Sequence, residues 1–292
     1  MSVLFKENIK QRKIMYAGCI ALFVAIIIAM ASRGGNIKQY GFAVLGLLVT
    51  MLVVNFIVDI NDRRSLDYIL SLLYHECDPE QFIETIDASI DSLKLQPKMA
   101  KTIELHKANA LCYEGKEKEA IAIVKKYQKT TTIDSEKVLF AGNIISYKIL
   151  NNDLAGLEEE IEAYRKYIAQ VYEGVKGKDR EYHENNFTQK NIEYKIASGK
   201  EISDDELQFI WKKVESEFGN DSNKENLRFY AALYLRSIGD LSGAIEQIGF
   251  IRIESGNTIT QRRAKALLQS IKDEKKDTSV QSTGTQKKKR KK

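Results

Sequence analysis

The stretch that decides the fold is IMYAGCIALFVAIIIAMAS, residues Ile14–Ser32, which is 19 residues long and carries no formal charge. A second uncharged run, QYGFAVLGLLVTMLVVNFIV at Gln39–Val58, is 20 residues long. The hydrocarbon core of a bilayer is about 30 Å thick, and a helix needs roughly 20 apolar residues to cross it. Because a backbone in lipid must satisfy its own hydrogen bonds, both runs are predicted to be transmembrane helices. The alternatives are a buried core helix or, for the first run, a cleaved signal peptide.

The basic residues around the two runs predict their orientation. Six lie outside the pair and two lie in the short loop between the runs. The six are Lys6, Lys10, Arg12, Lys13, Arg63 and Arg64, and the two are Arg33 and Lys38. Because positively charged flanks stay in the cytoplasm, we expect a two-span anchor in the cell membrane, with both termini and the main domain cytoplasmic. Ala29-Met30-Ala31 resembles a signal-peptidase site, but cleavage there would leave the main domain on the same side.

Small residues recur at every fourth position of the first run. They are Ala17, Ala21, Ala25 and Ala29. Small side chains let two helices approach closely in lipid, where no hydrophobic effect drives them together. This alanine stripe predicts packing against Gly46 and Thr50 of the second run, or packing between copies in a homo-oligomer.

The composition of the remaining chain predicts an all-α protein. Charged residues make up 29% of the 292 residues and there are only 2 prolines, which suits helices better than a many-stranded sheet. The 3 cysteines form no disulfide framework, so a reducing compartment is expected. The abundance of lysine, isoleucine, asparagine and glutamate is typical of AT-rich bacteria. The predicted regions are a cytoplasmic N-terminus at 1–13, a transmembrane hairpin at 14–58, a helical domain at 61–275 and a disordered polybasic tail at 276–292.

Start signals place two of the helices in the soluble region. Asp78-Pro79 puts a capping residue before a proline, which suits a helix over Phe82–Leu93. The sequence from Ser203 to Glu206 is a capping box, and it suits a helix over Leu207–Phe218. The more polar stretch Gln170–Lys200 predicts a loop that is followed by a helix from about Asn185.

Two segments share one spacing of small, apolar and glycine residues. The matching positions are Ala108, Leu111, Gly115 and Ala120 in the first, and Ala232, Leu235, Gly239 and Ala244 in the second. The alanines would let two antiparallel helices approach closely, and the glycine would permit a left-handed turn between them. Two further segments fit more loosely, with turns at Asn152-Asp153 and Cys77-Asp78.

This spacing resembles that of the tetratricopeptide repeat (TPR), although the aromatic residue that opens its first helix and the proline that closes it are missing. The resemblance implies a TPR-like α-solenoid in which the first helix of each pair lines a concave groove. The groove residues that it implies are Leu105, Asn109, Cys112, Tyr113, Phe229, Leu233 and Arg236. The family clamps C-terminal carboxylates with a lysine and an asparagine. Leu105 stands where the lysine would be in the first repeat, and Phe229 and Leu233 replace both residues in the later one, so an amphipathic helix or extended peptide is the expected ligand.

No residue pattern points to catalysis or to a metal site. His75 and Cys77 are two residues apart across a helix end, which is poor ligand spacing, and no second pair completes a zinc site. No glycine-rich phosphate loop follows a strand. We therefore expect neither enzymatic activity nor a bound cofactor.

The C-terminus carries the whole basic excess of the chain. The formal net charge is +5, and the last six residues carry six positive charges, so the other 286 sum to −1. These six are Lys287, Lys288, Lys289, Arg290, Lys291 and Lys292. Such a run can lie on anionic lipid or contact nucleic-acid phosphates, or it can be a solubilising terminus without a partner.

The function that these patterns favour is a membrane-anchored cytoplasmic adaptor that binds a protein partner. The alternative is a membrane tether for RNA or the ribosome that acts through the polybasic tail. The two hypotheses differ in whether tail-dependent binding requires RNA.

Overall fold

The computed structural model describes residues 2–34, 37–90, 97–216 and 220–289. Within these residues the secondary structure is entirely helical, with no strand. The helices are α1 Ser2–Ser32, α2 Ile37–Tyr74, α3 Pro79–Ile90, α4 Pro97–Glu114, α5 Glu117–Thr130, α6 Asp134–Leu150, α7 Leu157–Val171, α8 Lys178–Ala197, α9 Asp204–Glu215, α10 Asp221–Ser237, α11 Leu241–Gly249 and α12 Ile259–Lys289. The predicted all-α class is therefore confirmed.

The chain divides into two compact units. The first comprises Met1–Ser71 and Phe82–Gln96, and the second comprises Leu72–Gln81 and Pro97–Lys292. The end of α2 and the start of α3 therefore belong to the second unit, whereas Phe82–Gln96 belongs to the first.

The first unit contains two helical stretches that are long and apolar enough to cross a membrane. They are Lys13–Ser32, with a mean hydropathy of 2.6, and Tyr40–Ile57, with a mean hydropathy of 2.2. Only 0% and 6% of these stretches are buried, whereas the core helix of a soluble protein would be mostly buried. Both predicted runs are thus apolar helices whose side chains are mostly exposed.

The alanine stripe does not make the contact between these two helices. All four alanines are exposed, and a Cβ added at Gly46 would meet nothing within 4 Å. Half-buried positions of α1 lie on another face and include Tyr16, Cys19, Phe23 and Ile27. Tyr16 donates its hydroxyl hydrogen to the side-chain oxygen of Asn55. The prediction that the stripe packs within the hairpin was wrong, because larger side chains occupy the inner face.

The second unit is built from consecutive helical hairpins, α4–α5, α6–α7, α8–α9 and α10–α11, followed by α12. The first helices of the hairpins contact one another in sequence, from α4 through α6, α8 and α10 to α12. Helix α12 also contacts α4, so this series of five helices closes on itself. In a linear repeat array each repeat contacts only its neighbours. The contact between α12 and α4 departs from that pattern.

Glycine turns join two of these hairpins as the sequence predicts. Gly115 has φ +91° and Gly239 has φ +84°, in the left-handed region where glycine carries no Cβ penalty. At the second turn the amide of Asp240 donates to the Leu235 carbonyl oxygen over 2.9 Å, the long-range bond of a Schellman motif. Asn152 makes the same kind of turn after α6 with φ +63°, which confirms the turn predicted at Asn152-Asp153.

The alanines that the repeat spacing singles out lie at helix contacts. All four have no exposed surface: Ala108, Ala120, Ala232 and Ala244. At the corresponding positions of the α6–α7 hairpin stand Ile145 and Leu157, which are 3% and 0% exposed. The fold therefore accommodates larger side chains where the sequence departs from the small-residue pattern.

Both predicted helix starts are present. Asp78 accepts a hydrogen bond from the Gln81 amide over 3.0 Å. Ser203 and Glu206 form a reciprocal capping box at the start of α9. The helix predicted from about Asn185 begins earlier, at Lys178. Asp179 and Glu181 lie in the first turn of α8, where negative charge suits the helix dipole.

Two arginines at the start of α12 cap the ends of other helices. Arg262 donates to the carbonyl oxygen of Glu114 over 2.7 Å, at the end of α4. Arg263 donates to the carbonyl oxygen of Leu150 over 2.7 Å, at the end of α6. A cation suits these positions because the last carbonyls of a helix have no intrahelical partner. The two contacts fix the start of α12 against the first two hairpins.

The backbone of the predicted disordered tail is described as far as Lys289. Residues 276–289 continue α12 as a helix, which differs from the predicted disorder. Arg290, Lys291 and Lys292 lie outside the described residues.

Candidate partner-binding surface

The predicted groove residues do not form one exposed surface. Cys112 is 0% exposed and Phe229 is 2% exposed, so both side chains lie in the interior of the second unit. Leu105, Tyr113 and Leu233 are half-buried. The physical reason is the closed series of first helices, which turns part of the expected concave face into core.

Two polar members of the predicted groove are occupied by contacts within the same unit. Arg236 donates to the hydroxyl oxygen of Ser270 over 2.9 Å and also pairs with Glu274, so α12 holds its guanidinium. Asn109 lies between two tyrosine hydroxyls. Neither side chain is therefore available to contact a partner in the predicted groove.

Asn109 is the centre of a chain of side-chain hydrogen bonds. The Tyr147 hydroxyl donates to Asn109 Oδ1 over 2.5 Å, and Asn109 Nδ2 lies 2.8 Å from the Tyr74 hydroxyl oxygen. The Tyr74 hydroxyl in turn lies 2.8 Å from His106 Nδ1. This chain joins the end of α2 to α4 and α6. Burial raises the pKa of Tyr74 to about 12 and lowers the pKa of His106, so both groups are neutral at pH 7.

A second buried network joins α10 to the segment that follows α11. Glu225 is only 4% exposed, and one of its oxygens accepts from Arg252 Nε over 2.6 Å. Its other oxygen accepts from Gln261 Nε2 over 3.0 Å. The buried carboxylate therefore has a cationic partner and a second donor, as a buried charge requires.

An open cleft of about 410 Å³ lies beside this network. Its apolar lining comes from α11, the segment after it and α12, and consists of Ile245, Ile248, Ile251, Ile253 and Leu268. Arg252, Glu254 and Ser255 supply polar atoms. Sequence reasoning missed this cleft. The sequence signal for this cleft is the recurrence of isoleucine after the end of α11, at Ile251 and Ile253.

The described residues hold no group of three or more histidine, cysteine or carboxylate side chains that could bind a metal ion.

Lys190 and Glu193 are both buried on α8. Burial lowers the pKa of Lys190 to about 8, and Lys190 donates to Asn186 Oδ1 over 3.0 Å. Gln189 donates to Glu193 over 2.8 Å. These contacts are those of a buried polar cluster within the domain.

Of the six basic residues at the C-terminus, Lys287, Lys288 and Lys289 belong to the described end of α12. Arg290, Lys291 and Lys292 lie outside the described residues. Whether the run contacts lipid or nucleic acid stays a prediction.

No family of known proteins, no curated protein and no solved structure matches this chain. What the geometry defines is a class: an all-α protein with two apolar, mostly exposed N-terminal helices and a unit of helical hairpins.

Proposed function

We propose that this protein is a membrane-anchored scaffold whose TPR-like domain recruits a protein partner at the cytoplasmic face of the cell membrane. The observation that carries the proposal is the combination of two exposed apolar helices with a hairpin-built second unit in one chain. Exposed apolar stretches of 18 to 20 residues need a non-aqueous environment. A unit of stacked hairpins is typical of proteins that bind other proteins.

The TPR-like assignment is supported by two hairpins. In each, a glycine with positive φ makes the turn and two fully buried alanines bring the helices together. The contact between α12 and α4 makes this a closed variant of the repeat arrangement. In such a variant the first helices cover one another's inner faces, so the binding surface lies elsewhere on the unit.

We assign partner binding to the cleft between α11 and α12. Its partly exposed apolar residues, Ile245, Ile253 and Leu268, are complementary to the apolar face of an amphipathic helix, and the exposed carboxylate of Glu254 can orient a polar edge. Binding of a helix in a groove of this kind depends on a few apolar anchor residues spaced three and four apart. The proposed ligand is therefore an amphipathic helix of a cytoplasmic protein.

The test is affinity purification of the full chain from membranes in mild detergent. Ile253→Arg places a charge in the cleft and is expected to remove the partner. Ile133→Arg is the matched control, because Ile133 is 55% exposed and precedes α6, away from the cleft residues. Thermal melts of both variants should remain close to that of the wild type. Equal partner recovery from the two variants would contradict the assignment of the cleft.

The orientation has its own test. Six flanking basic residues against two in the loop favour cytoplasmic termini. A cysteine introduced at Gly35, outside the described residues, is expected to react with an impermeant reagent from outside the cell, and one at Ser282 is not. External labelling at Ser282 would overturn the cytoplasmic function.

A further inference from the structure

Gly249, the last residue of α11, is a glycine that the fold of the second unit does not require. The structure describes ten glycines in this unit, and seven of them have a positive φ. At two more, Gly142 and Gly243, an added Cβ would clash with a neighbouring side chain. At Gly249 the φ is not positive, and an added Cβ would meet nothing within 4 Å. Because glycine is less stable in a helix than alanine, this position favours close approach of a group from outside the unit.

Gly249 lies between an apolar cleft and an exposed aromatic ring. On the side of α12 is the α11–α12 cleft, whose partly exposed apolar residues are Ile245, Ile253 and Leu268. On the side of α10 is Phe250, which is 56% exposed. The guanidinium of Arg228 on α10 lies 4.0 Å from the centroid of this ring and orients it. The surface thus carries a projecting apolar side chain beside an apolar depression.

A surface of this kind can pair with a copy of itself. In a two-fold contact the same patch is used by both copies, so residue i of one meets residue j of the other and j meets i. Two copies of α11 that cross at Gly249 would each place Phe250 in the cleft of the other. The absence of a Cβ at the crossing point would let the two helices approach closely.

The charges around the ring and the cleft are complementary in this arrangement. Beside Phe250 stand Arg228 and Glu246, which precedes Phe250 by four residues and shares its face of the helix. At the cleft, Glu254 and Lys265 form an exposed pair with 3.7 Å between Oε2 and Nζ. The acid and the base beside the ring can therefore meet the base and the acid at the cleft of the second copy.

We propose that two copies of this protein associate through α11, with Phe250 of each copy seated in the α11–α12 cleft of the other. This contact covers the cleft, so a second copy and a partner helix exclude each other there. That exclusion rests on the proposed function, whereas the contact between copies does not.

A cysteine at position 249 tests the contact directly, because the two copies of this residue face each other at the crossing point. The full chain with Gly249→Cys is oxidised in isolated membranes with copper phenanthroline and run on a non-reducing gel. We expect a covalent dimer that a reductant separates. The wild-type chain, with Cys19, Cys77 and Cys112, gives the background. Ile238→Cys is the matched control, because Ile238 is 59% exposed and lies before the opposite end of α11.

Two substitutions test the ring and the crossing point separately. Phe250→Ala removes the inserted ring, and Gly249→Leu keeps the two helices apart. Each should raise the dissociation constant of the dimer by about tenfold or more, as loss of a central anchor does. The measurement is sedimentation equilibrium of the purified full chain in density-matched detergent. Ile238→Ala should leave the constant unchanged, and all three positions are exposed, so the melting temperatures should stay close to that of the wild type.

A charge exchange tests the orientation of the two copies. Glu246→Lys should weaken the dimer, because it places a cation opposite Lys265 of the other copy. Glu246→Lys combined with Lys265→Glu should restore association, since each copy then offers the opposite sign again.

Two results would overturn the contact. One is a purified chain that stays monomeric, or a dimer that is equally stable in the wild type, Phe250→Ala and Gly249→Leu, since association would then use another surface. The other is cross-linking of Gly249→Cys at the level of Ile238→Cys. The purified chain contains no other protein, so these results hold whether or not the cleft binds a partner helix.

Discussion

Single residues set the spacing of the hairpins in the second unit. Ala120 of α5 and Ala244 of α11 have no exposed surface, and each follows a glycine turn by five residues. A methyl group is the largest side chain that such a contact accepts without displacement of its neighbours. The four-carbon side chain of leucine at either position would force the paired helices apart.

The first prediction concerns this contact. Ala120→Leu and Ala244→Leu should each lower the free energy of unfolding by about 1–3 kcal/mol, the usual cost of overpacking a tight core. The measurement is thermal or urea unfolding of the full chain in detergent. Ala122→Leu is the matched control, because Ala122 lies on the same helix as Ala120 and is exposed. If all three variants melt together, the alanines do not set the helix spacing.

Lys190 is buried, and its charged form destabilises the folded state. Burial lowers its pKa to about 8, below the ordinary value of 10.5, so the folded state releases this proton before the unfolded state does. The free energy of unfolding should then rise by about 2 kcal/mol between pH 8 and pH 10. Lys190→Met should remove this rise, and Lys200→Met, at an exposed position, should keep it. Urea unfolding at the two pH values measures the difference, and an unchanged slope in Lys190→Met would refute it.

Helix α12 turns a row of hairpins into a closed unit. Its two initial arginines donate to carbonyl oxygens at the ends of α4 and α6. The guanidinium of Arg263 also lies 4.7 Å from the ring centroid of Phe229, which adds a cation–π contact with α10. One side chain thus contacts two of the first helices.

Arg263→Met tests this role while it retains an apolar stem. We expect a loss of about 1–3 kcal/mol in the free energy of unfolding, because a charge-assisted hydrogen bond and a ring contact are both removed. Lys265→Met, two residues along the same helix at an exposed position, should have little effect. Circular dichroism melts of the two variants provide the comparison, and equal melting temperatures would exclude a stabilising role for Arg263.

Local patterns predicted these elements well because their causes lie within a few residues. The turns at Gly115 and Gly239, the capping box at Ser203 and the buried alanines each depend on one hairpin. The closure by α12 could not be read in the same way, because Arg263 and the Leu150 carbonyl are 113 positions apart. The predicted groove failed for this reason: which face of α4 and α10 stays open is decided by distant contacts. The cleft beside α11 has an isoleucine signal in the sequence, but its walls come from two separate segments.

The excess positive charge of the protein is concentrated at the C-terminus. The last six residues carry more positive charge than the entire protein has in excess. Polybasic runs bind anionic lipid at roughly 1 kcal/mol per basic residue near a membrane surface, so we expect this run to bind such lipid.

We predict that a fragment of residues 61–292 binds anionic liposomes and loses that binding as salt increases, because screening weakens each contact. Truncation after Gln286 should abolish binding, since residues 61–286 carry a net charge of −5. Liposome flotation measures it, with neutral liposomes as the control. Binding to RNA with steep salt dependence, without lipid binding, would favour the RNA-tether alternative instead.

The contact between α12 and α4 also has a consequence for synthesis. The Arg262 guanidinium and the Glu114 carbonyl that it caps are separated by 148 positions, and Ser222 meets Leu73 across 149. A ribosome that adds about 5–20 residues per second therefore makes α4 many seconds before its partner emerges. During that interval the nascent chain exposes the ends and inner faces of its first hairpins. Folding of the unit is thus coupled to completion of the chain, and a product that stops before Ile259 has no helix to cover them.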